Sequence, residues 1–65
     1  MENTKKQILK ILEREQMATT AIAIQIREPY WKTYALIYNL LQEGKVEQVK
    51  VNNQIYWKLN KEVKQ

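Results

Sequence analysis

The sequence contains no cysteine and no histidine, and these absences remove much of the chemistry that small proteins use for stability and catalysis. Without cysteine there is neither a disulfide nor a thiolate metal site. Without histidine the chain lacks the commonest metal ligand and the usual general base near neutral pH. The stability of this chain of 65 residues must therefore come from apolar packing, for which its hydrophobic content of 45% is adequate.

Glycine is almost absent as well, and this excludes a glycine-rich phosphate-binding loop. Gly44 is the single glycine, and the seven carboxylates are scattered over the predicted helices and hairpin. No nucleophilic side chain has an imidazole to activate it. We therefore predict that the protein is not an enzyme and that it holds no metal and no cofactor.

Long hydrophobic runs are also missing. No apolar stretch approaches the roughly 18 residues that a membrane-spanning helix needs, and the first residues lack the apolar region of a signal peptide. The absence of cysteine fits a reducing compartment. The sequence thus predicts a cytoplasmic or nucleoid-associated protein that does not contact a membrane.

The chain has an excess of positive charge. Eleven lysines and arginines against seven acidic residues give a net charge of +4 and a pI of about 9.5. In a domain of this size, such a balance favours a polyanionic partner, with nucleic acid first. Double-stranded DNA is the predicted partner.

Hydrophobic periodicity predicts a first helix over Thr4–Glu15. Thr4 and Gln7 have the spacing of a capping box, in which each side chain satisfies an exposed backbone N–H at the start of a helix. One face of this helix is apolar and carries Ile8, Leu9, Ile11 and Leu12. The polar residues lie on the remaining faces, so this helix is predicted to pack one side against a core.

A short extended connection, Met17-Ala18, is predicted to lead into a second helix. Thr19 or Thr20 can cap that helix, and its apolar residues are Ile22, Ala23 and Ile26. Arg27-Glu28-Pro29 is predicted to end it, because proline disfavours helical geometry at the residue before it. The same proline fits the first position of a following helix.

The third predicted helix runs from Pro29 to about Glu43, with Gly44 as its stop signal. Its apolar residues are too many for one face. We assign the core stripe to Tyr30, Ile37, Leu40 and Leu41, completed by Thr33 or Tyr34. The opposite or flanking side then carries Trp31, Lys32, Ala35 and Tyr38. This surplus of aromatic surface predicts an interface, because a helix that is apolar nearly all round is normally covered on both sides.

Two strand-like runs, Val46–Val51 and Ile55–Leu59, follow the third helix. Asn52-Asn53 between them suits a type I′ turn, because asparagine tolerates a positive φ. The resulting register places Val51 opposite Gln54, Val49 opposite Tyr56 and Glu47 opposite Lys58. The chain is then a single domain over residues 1–65, with a polar tail over Lys61–Gln65.

Three helices followed by a hairpin, with a three- or four-residue turn between the second and third helices, is the order of a winged helix-turn-helix. Two stretches, Thr19–Ala23 and Leu40–Glu47, resemble the second helix and the entry to the wing in that superfamily. The resemblance covers nearly the whole chain. It implies an α+β fold with a two-stranded β-hairpin wing, and this fold serves both nucleic-acid and protein binding.

A narrower resemblance is to the Zα domains, which bind left-handed duplexes. It is carried by Ile8–Leu12, Ala18–Ala21, Ile37–Leu40 and Trp57–Leu59. In that family a recognition-helix tyrosine touches a base and a wing tryptophan packs beside it, and Tyr38 and Trp57 occupy those positions here. The sequence departs from the family where its recognition-helix asparagine would be, which is Tyr34. The wing prolines are also missing.

The leading hypothesis is a small DNA-binding transcriptional regulator that acts as a dimer. The predicted nucleic-acid contacts are Arg27, Trp31, Lys32, Tyr34, Ala35, Tyr38, Lys50, Trp57 and Lys58. Among them, Arg27, Lys50 and Lys58 are expected to hold phosphates. One alternative is a protein-interaction module or homodimer that uses Trp31 and Tyr38, and a second is a binder of left-handed duplex nucleic acid.

Overall fold

Three helices and three strands make up the computed structural model, which describes residues 2–60. The elements are α1 Glu2–Arg14, β1 Met17–Ala18, α2 Thr19–Ile26, α3 Tyr30–Gln42, β2 Val46–Val51 and β3 Gln54–Leu59. The predicted order of three helices and a hairpin is confirmed. The predicted polar tail over Lys61–Gln65 lies outside the described residues.

The sheet is antiparallel, with β3 between β1 and β2. The predicted extended connection pairs with β3 and forms a third strand, in which Met17 lies opposite Trp57. In the β2–β3 hairpin, all three predicted cross-strand pairs are confirmed. Asn52 and Asn53 both have a positive φ, 50° and 66°, as a type I′ turn requires.

The core lies where α1, α2 and α3 meet the inner face of this sheet. Its buried apolar residues are Ile8, Leu12, Ile22, Ala23, Ile37, Leu40, Val46 and Trp57. Trp57, on the central strand, is the largest of the fully buried side chains. It is also hydrogen-bonded, since its Nε1–H donates to Thr19 Oγ1 at 2.8 Å.

The prediction that Thr19 or Thr20 caps α2 is wrong. Ala18 is the N-cap residue, and no side chain makes a capping hydrogen bond there. Thr19 is buried, and its hydroxyl accepts the indole N–H of Trp57 because a buried indole needs an acceptor. This bond joins the start of α2 to the central strand.

The predicted helix ends also shift by one or two residues. Helix α1 begins at Glu2, so Thr4 lies inside the helix and the predicted capping box is wrong. Pro29 is the N-cap of α3 rather than its first helical residue. Gly44 has a φ of 77° and follows the end of α3 as predicted.

The core stripe of α3 differs from the predicted one. Thr33, Ile37 and Leu40 are buried, and Leu41 packs against the core as a partly buried residue. Tyr30 was predicted to be in the core but is 57% exposed. It is the first residue of the helix, and helical side chains lean toward the N-terminus, so its ring extends past the core.

Candidate nucleic-acid interface

The surface of α3 that faces away from the core is aromatic. Trp31 is 72% exposed, Tyr38 46% and Tyr34 42%, and Ala35 between them is exposed as well. The predicted outer position of Trp31, Ala35 and Tyr38 is therefore confirmed. Their exposure follows from the helical spacing of Thr33, Ile37 and Leu40, because burying that face turns the opposite side of α3 to solvent.

Three of the exposed aromatic residues form a row along α3, four residues apart. The rings of Tyr30 and Tyr34 are nearly parallel, with an interplanar angle of 4° and centroids 6.3 Å apart. The rings of Tyr34 and Tyr38 have the same centroid separation and an angle of 25°. We call Tyr30, Tyr34 and Tyr38 the tyrosine row. It extends the aromatic surface along the helix toward its N-terminus.

Trp57 supports this row from beneath. Its ring meets the ring of Tyr34 edge-on, with centroids 6.4 Å apart and an interplanar angle of 64°. Because Trp57 has no exposed surface, the prediction that it contacts nucleic acid directly is wrong. The resemblance to Zα domains implied that Tyr38 packs beside this tryptophan, whereas the ring beside Trp57 belongs to Tyr34. Trp57 thus positions Tyr34 and leaves it half exposed.

The cations around α3 differ in how far they are already neutralised. Lys32 forms an ion pair with Glu28, with Nζ and Oε1 3.4 Å apart. Arg27 is exposed at the turn between α2 and α3, where its backbone has a left-handed φ of 60°. Within residues 2–60, Arg27, Lys50 and Lys58 form no ion pair, so their charges are available to an anionic partner.

A second group of charges lies at the other end of α3. Lys5 Nζ lies 2.9 Å from Glu43 Oε2, and Lys45 Nζ lies 3.6 Å from Glu43 Oε1. The hydrogen bond from Lys5 holds the pKa of the Glu43 carboxyl below its ordinary value. These two lysines are already paired, so we do not assign them to the candidate interface.

Lys50 and Lys58 lie on opposite faces of the β2–β3 hairpin. Side chains alternate along a strand, and Trp57 points into the core, so Lys58 beside it points to the outer face. Lys50 lies opposite Ile55 in the register, and Ile55 is two residues from Trp57, which places Lys50 on the inner face. The two predicted phosphate contacts therefore do not share a surface. Only Lys50 lies on the side of the hairpin that faces α3.

A cleft of about 390 Å³ lies between the hairpin, the start of α2 and the first two turns of α3. Its lining includes Thr19, Thr20, Tyr30, Tyr34, Gln48 and Gln54. None of the residues that line it is charged, although 28% of the chain is charged. This uncharged cleft joins the tyrosine row to the inner face of the hairpin.

The sequence reasoning missed several polar residues of this surface. Gln48 pairs with Trp57 in the register and so shares its face, which the alternation of β2 could have revealed. Asn39 and Gln42 are exposed on α3, and its helical periodicity could have identified both. Thr20 had no such signal, because its place beside the hairpin depends on the pairing of β1 with β3.

A larger groove, of about 560 Å³, lies between α1 and α2. Charges of both signs line it, from Lys10, Glu13 and Arg14, together with Ile11 and Ile26. This lining contains no aromatic residue, and its two cations are offset in part by the carboxylate of Glu13. We therefore assign the candidate interface to α3 and the hairpin.

Residues 2–60 contain no group of three or more acidic, histidine or cysteine side chains able to hold a metal ion. No helix among them is long and apolar enough to cross a membrane.

Comparisons with known proteins bear on the fold. No protein-family model matches the chain, and no curated protein matches it in sequence. Among solved structures, it is similar to the homodimeric winged helix-turn-helix DNA-binding domain of a possible ArsR-family transcriptional regulator from Mycobacterium bovis, determined by NMR in solution. The TM-score is 0.84 at 24% identity, over 89% of this chain and 54% of the other.

The chain has a winged helix-turn-helix fold. The fold class expected from the sequence is thereby confirmed, with α2 and α3 as the helix-turn-helix and the β2–β3 hairpin as the wing. The chain spans about half the length of the structure it matches. The aromatic face of α3, the inner face of the wing and the cleft between them form the candidate interface of this winged helix.

Proposed function

We propose that this winged helix binds double-stranded DNA as part of a transcriptional regulator. In the proposed complex, α3 enters the major groove and the inner face of the wing follows the adjoining backbone. The observation that carries the proposal is that one cleft joins the tyrosine row of α3 to the inner face of the wing, the face that carries Lys50. The M. bovis domain of similar fold is described as DNA-binding, which supports the same role here.

Phosphate contacts in this complex come from residues on both sides of α3. Arg27, before the helix, and Lys50, on the wing, have no ion-pair partner within residues 2–60, so neither must break a bond to meet a phosphate. Lys32 also contacts a phosphate, and the phosphate oxygen then replaces Glu28 as its ion-pair partner. Such contacts set the position and orientation of the protein on the duplex and make its affinity depend on salt.

Base contacts come from the outer surface of α3. Trp31, Tyr34, Ala35 and Tyr38 supply apolar and aromatic surface toward base edges and sugars. Asn39 and Gln42 add amide side chains, which suit the hydrogen-bonding edge of adenine in the major groove. One helix of this length reads few base pairs, so we propose a dimer that reads two half-sites. The similar M. bovis domain is itself homodimeric.

The test is a salt series of duplex binding with Lys50→Ala and Lys58→Ala, measured by fluorescence anisotropy. Lys50→Ala should weaken binding and flatten the log–log salt slope by about one unit, as expected for one lost phosphate contact. Lys58→Ala is the matched control, because it removes the same charge from the opposite face of the wing. It should leave the slope unchanged. Equal slopes for both variants would contradict the proposed placement of the wing.

A protein partner is the second candidate function, and the charge of α3 favours it. The helix carries a single cation, Lys32, and that cation is paired with Glu28. Exposed aromatic residues with little charge are typical of the centre of protein interfaces. Association through Trp31 and Tyr38, with a second copy or another protein, should persist or strengthen as salt is raised. Light scattering across the same salt series distinguishes this behaviour from DNA binding.

A further inference from the structure

We propose that the cleft between the wing and α3 binds one unpaired nucleobase. The inference rests on the proposed function and deepens it, since it names the form of nucleic acid that the same surface prefers. The cleft is a defined space of about 390 Å³, at the lower end of the roughly 300–1,000 Å³ of small-molecule sites. Its size and chemistry are those of a site for a small planar group.

The chemistry of the cleft selects a neutral ligand with hydrogen-bonding edges. No charged residue lines it, although amide residues come from the wing at Gln48, Asn53 and Gln54 and a hydroxyl residue from α2 at Thr20. An amide side chain both donates and accepts hydrogen bonds, as the edge of a nucleobase does. An anion would find no counter-charge inside the cleft, so phosphate is not its ligand.

The aromatic wall of the cleft suits a flat ring. Tyr30 and Tyr34 both line it, and their rings are parallel to within 4°. Both side chains keep exposed surface, 57% for Tyr30 and 42% for Tyr34, so ring surface remains for a ligand. The edge contact with Trp57 fixes Tyr34 from the core side. Stacking of bases on such rings is favourable and tolerates any base, because every base has a π-face.

The position of the cleft favours an unpaired base over a paired one. A base inside a duplex presents only its edge to the groove, whereas a ring that enters between two walls must leave the stack. Leaving the stack costs least for a base that is mismatched or already unpaired. Lys50 lies opposite Ile55, which also lines the cleft. The phosphate of the unpaired nucleotide would therefore have a cation beside the cleft.

The experiment compares three duplexes of one sequence at one salt concentration, by fluorescence anisotropy with the wild-type protein. The first is perfectly paired, the second has one extra unpaired adenine, and the third has an abasic nucleotide in place of that adenine. We expect about tenfold tighter binding of the second than of the first. The abasic duplex should bind with the affinity of the paired duplex. It keeps the bulged backbone but offers no base to the cleft.

Gln48→Ala should remove the preference for the unpaired adenine, so that the variant binds the bulged and the paired duplex with equal affinity. Gln7→Ala, the same substitution at an exposed position of α1, is the matched control and should retain the preference. Far-UV circular dichroism confirms that both variants are folded. A preference that survives Gln48→Ala would place the unpaired base elsewhere and would overturn the assignment of the cleft.

The outcomes separate this inference from the proposed function. Equal binding of the paired and bulged duplexes overturns the inference and leaves duplex binding in place. Equal binding of the adenine and abasic bulges also overturns it, since the protein would then recognise a bent backbone. Tight binding of the adenine bulge without binding of the paired duplex supports the cleft and contradicts duplex reading. Absence of binding to all three contradicts both.

Discussion

Replacing Trp57 by alanine is expected to unfold the domain. Truncation of a fully buried tryptophan costs about 3–5 kcal/mol, and Trp57 has no exposed surface. A domain below about 70 residues rarely has more than about 3–5 kcal/mol of stability in total. The variant also leaves the Thr19 hydroxyl without its hydrogen bond. Urea denaturation followed by circular dichroism should show little or no folded baseline.

The second tryptophan supplies the control for this experiment. Trp31→Ala removes the same side chain from a position that is 72% exposed, and it should change the free energy of unfolding by less than about 0.5 kcal/mol. Trp57→Phe should lower the free energy of unfolding by an amount between those of Trp57→Ala and Trp31→Ala, because it keeps most of the packing and loses the indole N–H. Similar denaturation midpoints for Trp57→Ala and Trp31→Ala would show that the core is assigned incorrectly.

The double variant Trp31→Ala, Tyr38→Ala is expected to lose about 100-fold in affinity for duplex DNA and to remain folded. Contacts of bases with aromatic side chains are worth about 1–3 kcal/mol each, so two of them account for a loss of this size. Trp31 is 72% exposed and Tyr38 46%, and neither belongs to the core cluster, so their removal leaves no cavity in the core. Fluorescence anisotropy measures the affinity, and urea denaturation measures the free energy of unfolding, which should be preserved.

Ile24→Ala is the control for that double variant. Ile24 is 73% exposed on α2 and lies outside the proposed contact surface, so its truncation removes exposed apolar area and should leave the affinity unchanged. If the double variant keeps its affinity for DNA but loses self-association in light scattering, the aromatic face of α3 belongs to a protein interface. If it unfolds, Trp31 and Tyr38 are core residues.

The local elements of the fold could be predicted because each has a short-range signal. The Asn52-Asn53 turn fixes the register of the hairpin, and Gly44 marks the end of α3. The capping of α2 could not be predicted, because Thr19 bonds to Trp57, a residue 38 positions away. Strand β1 has two residues, which is too short for an alternating pattern, so its pairing with β3 gave no signal in the sequence.

The part of the candidate site that lies on α3 could be predicted from the sequence. The spacing of the apolar residues identified Trp31, Ala35 and Tyr38 as exposed. Tyr30 was assigned to the core because it is seven residues before Ile37, and only its place at the start of the helix turns it to solvent. The separation of Lys50 from Lys58 follows from the strand alternation once Trp57 is known to be buried. The cleft required tertiary structure, because its residues come from α2, α3 and the wing.

An NMR titration of the isotope-labelled protein with a short paired duplex tests the proposed interface most directly. The largest amide shifts are predicted for Arg27, Trp31, Ala35, Tyr38 and Lys50, and the shifts should diminish when salt is added. Residues of the groove between α1 and α2, such as Lys10 and Glu13, should not shift. Shifts centred on that groove, or no shifts on α3 at saturating duplex, would contradict the account.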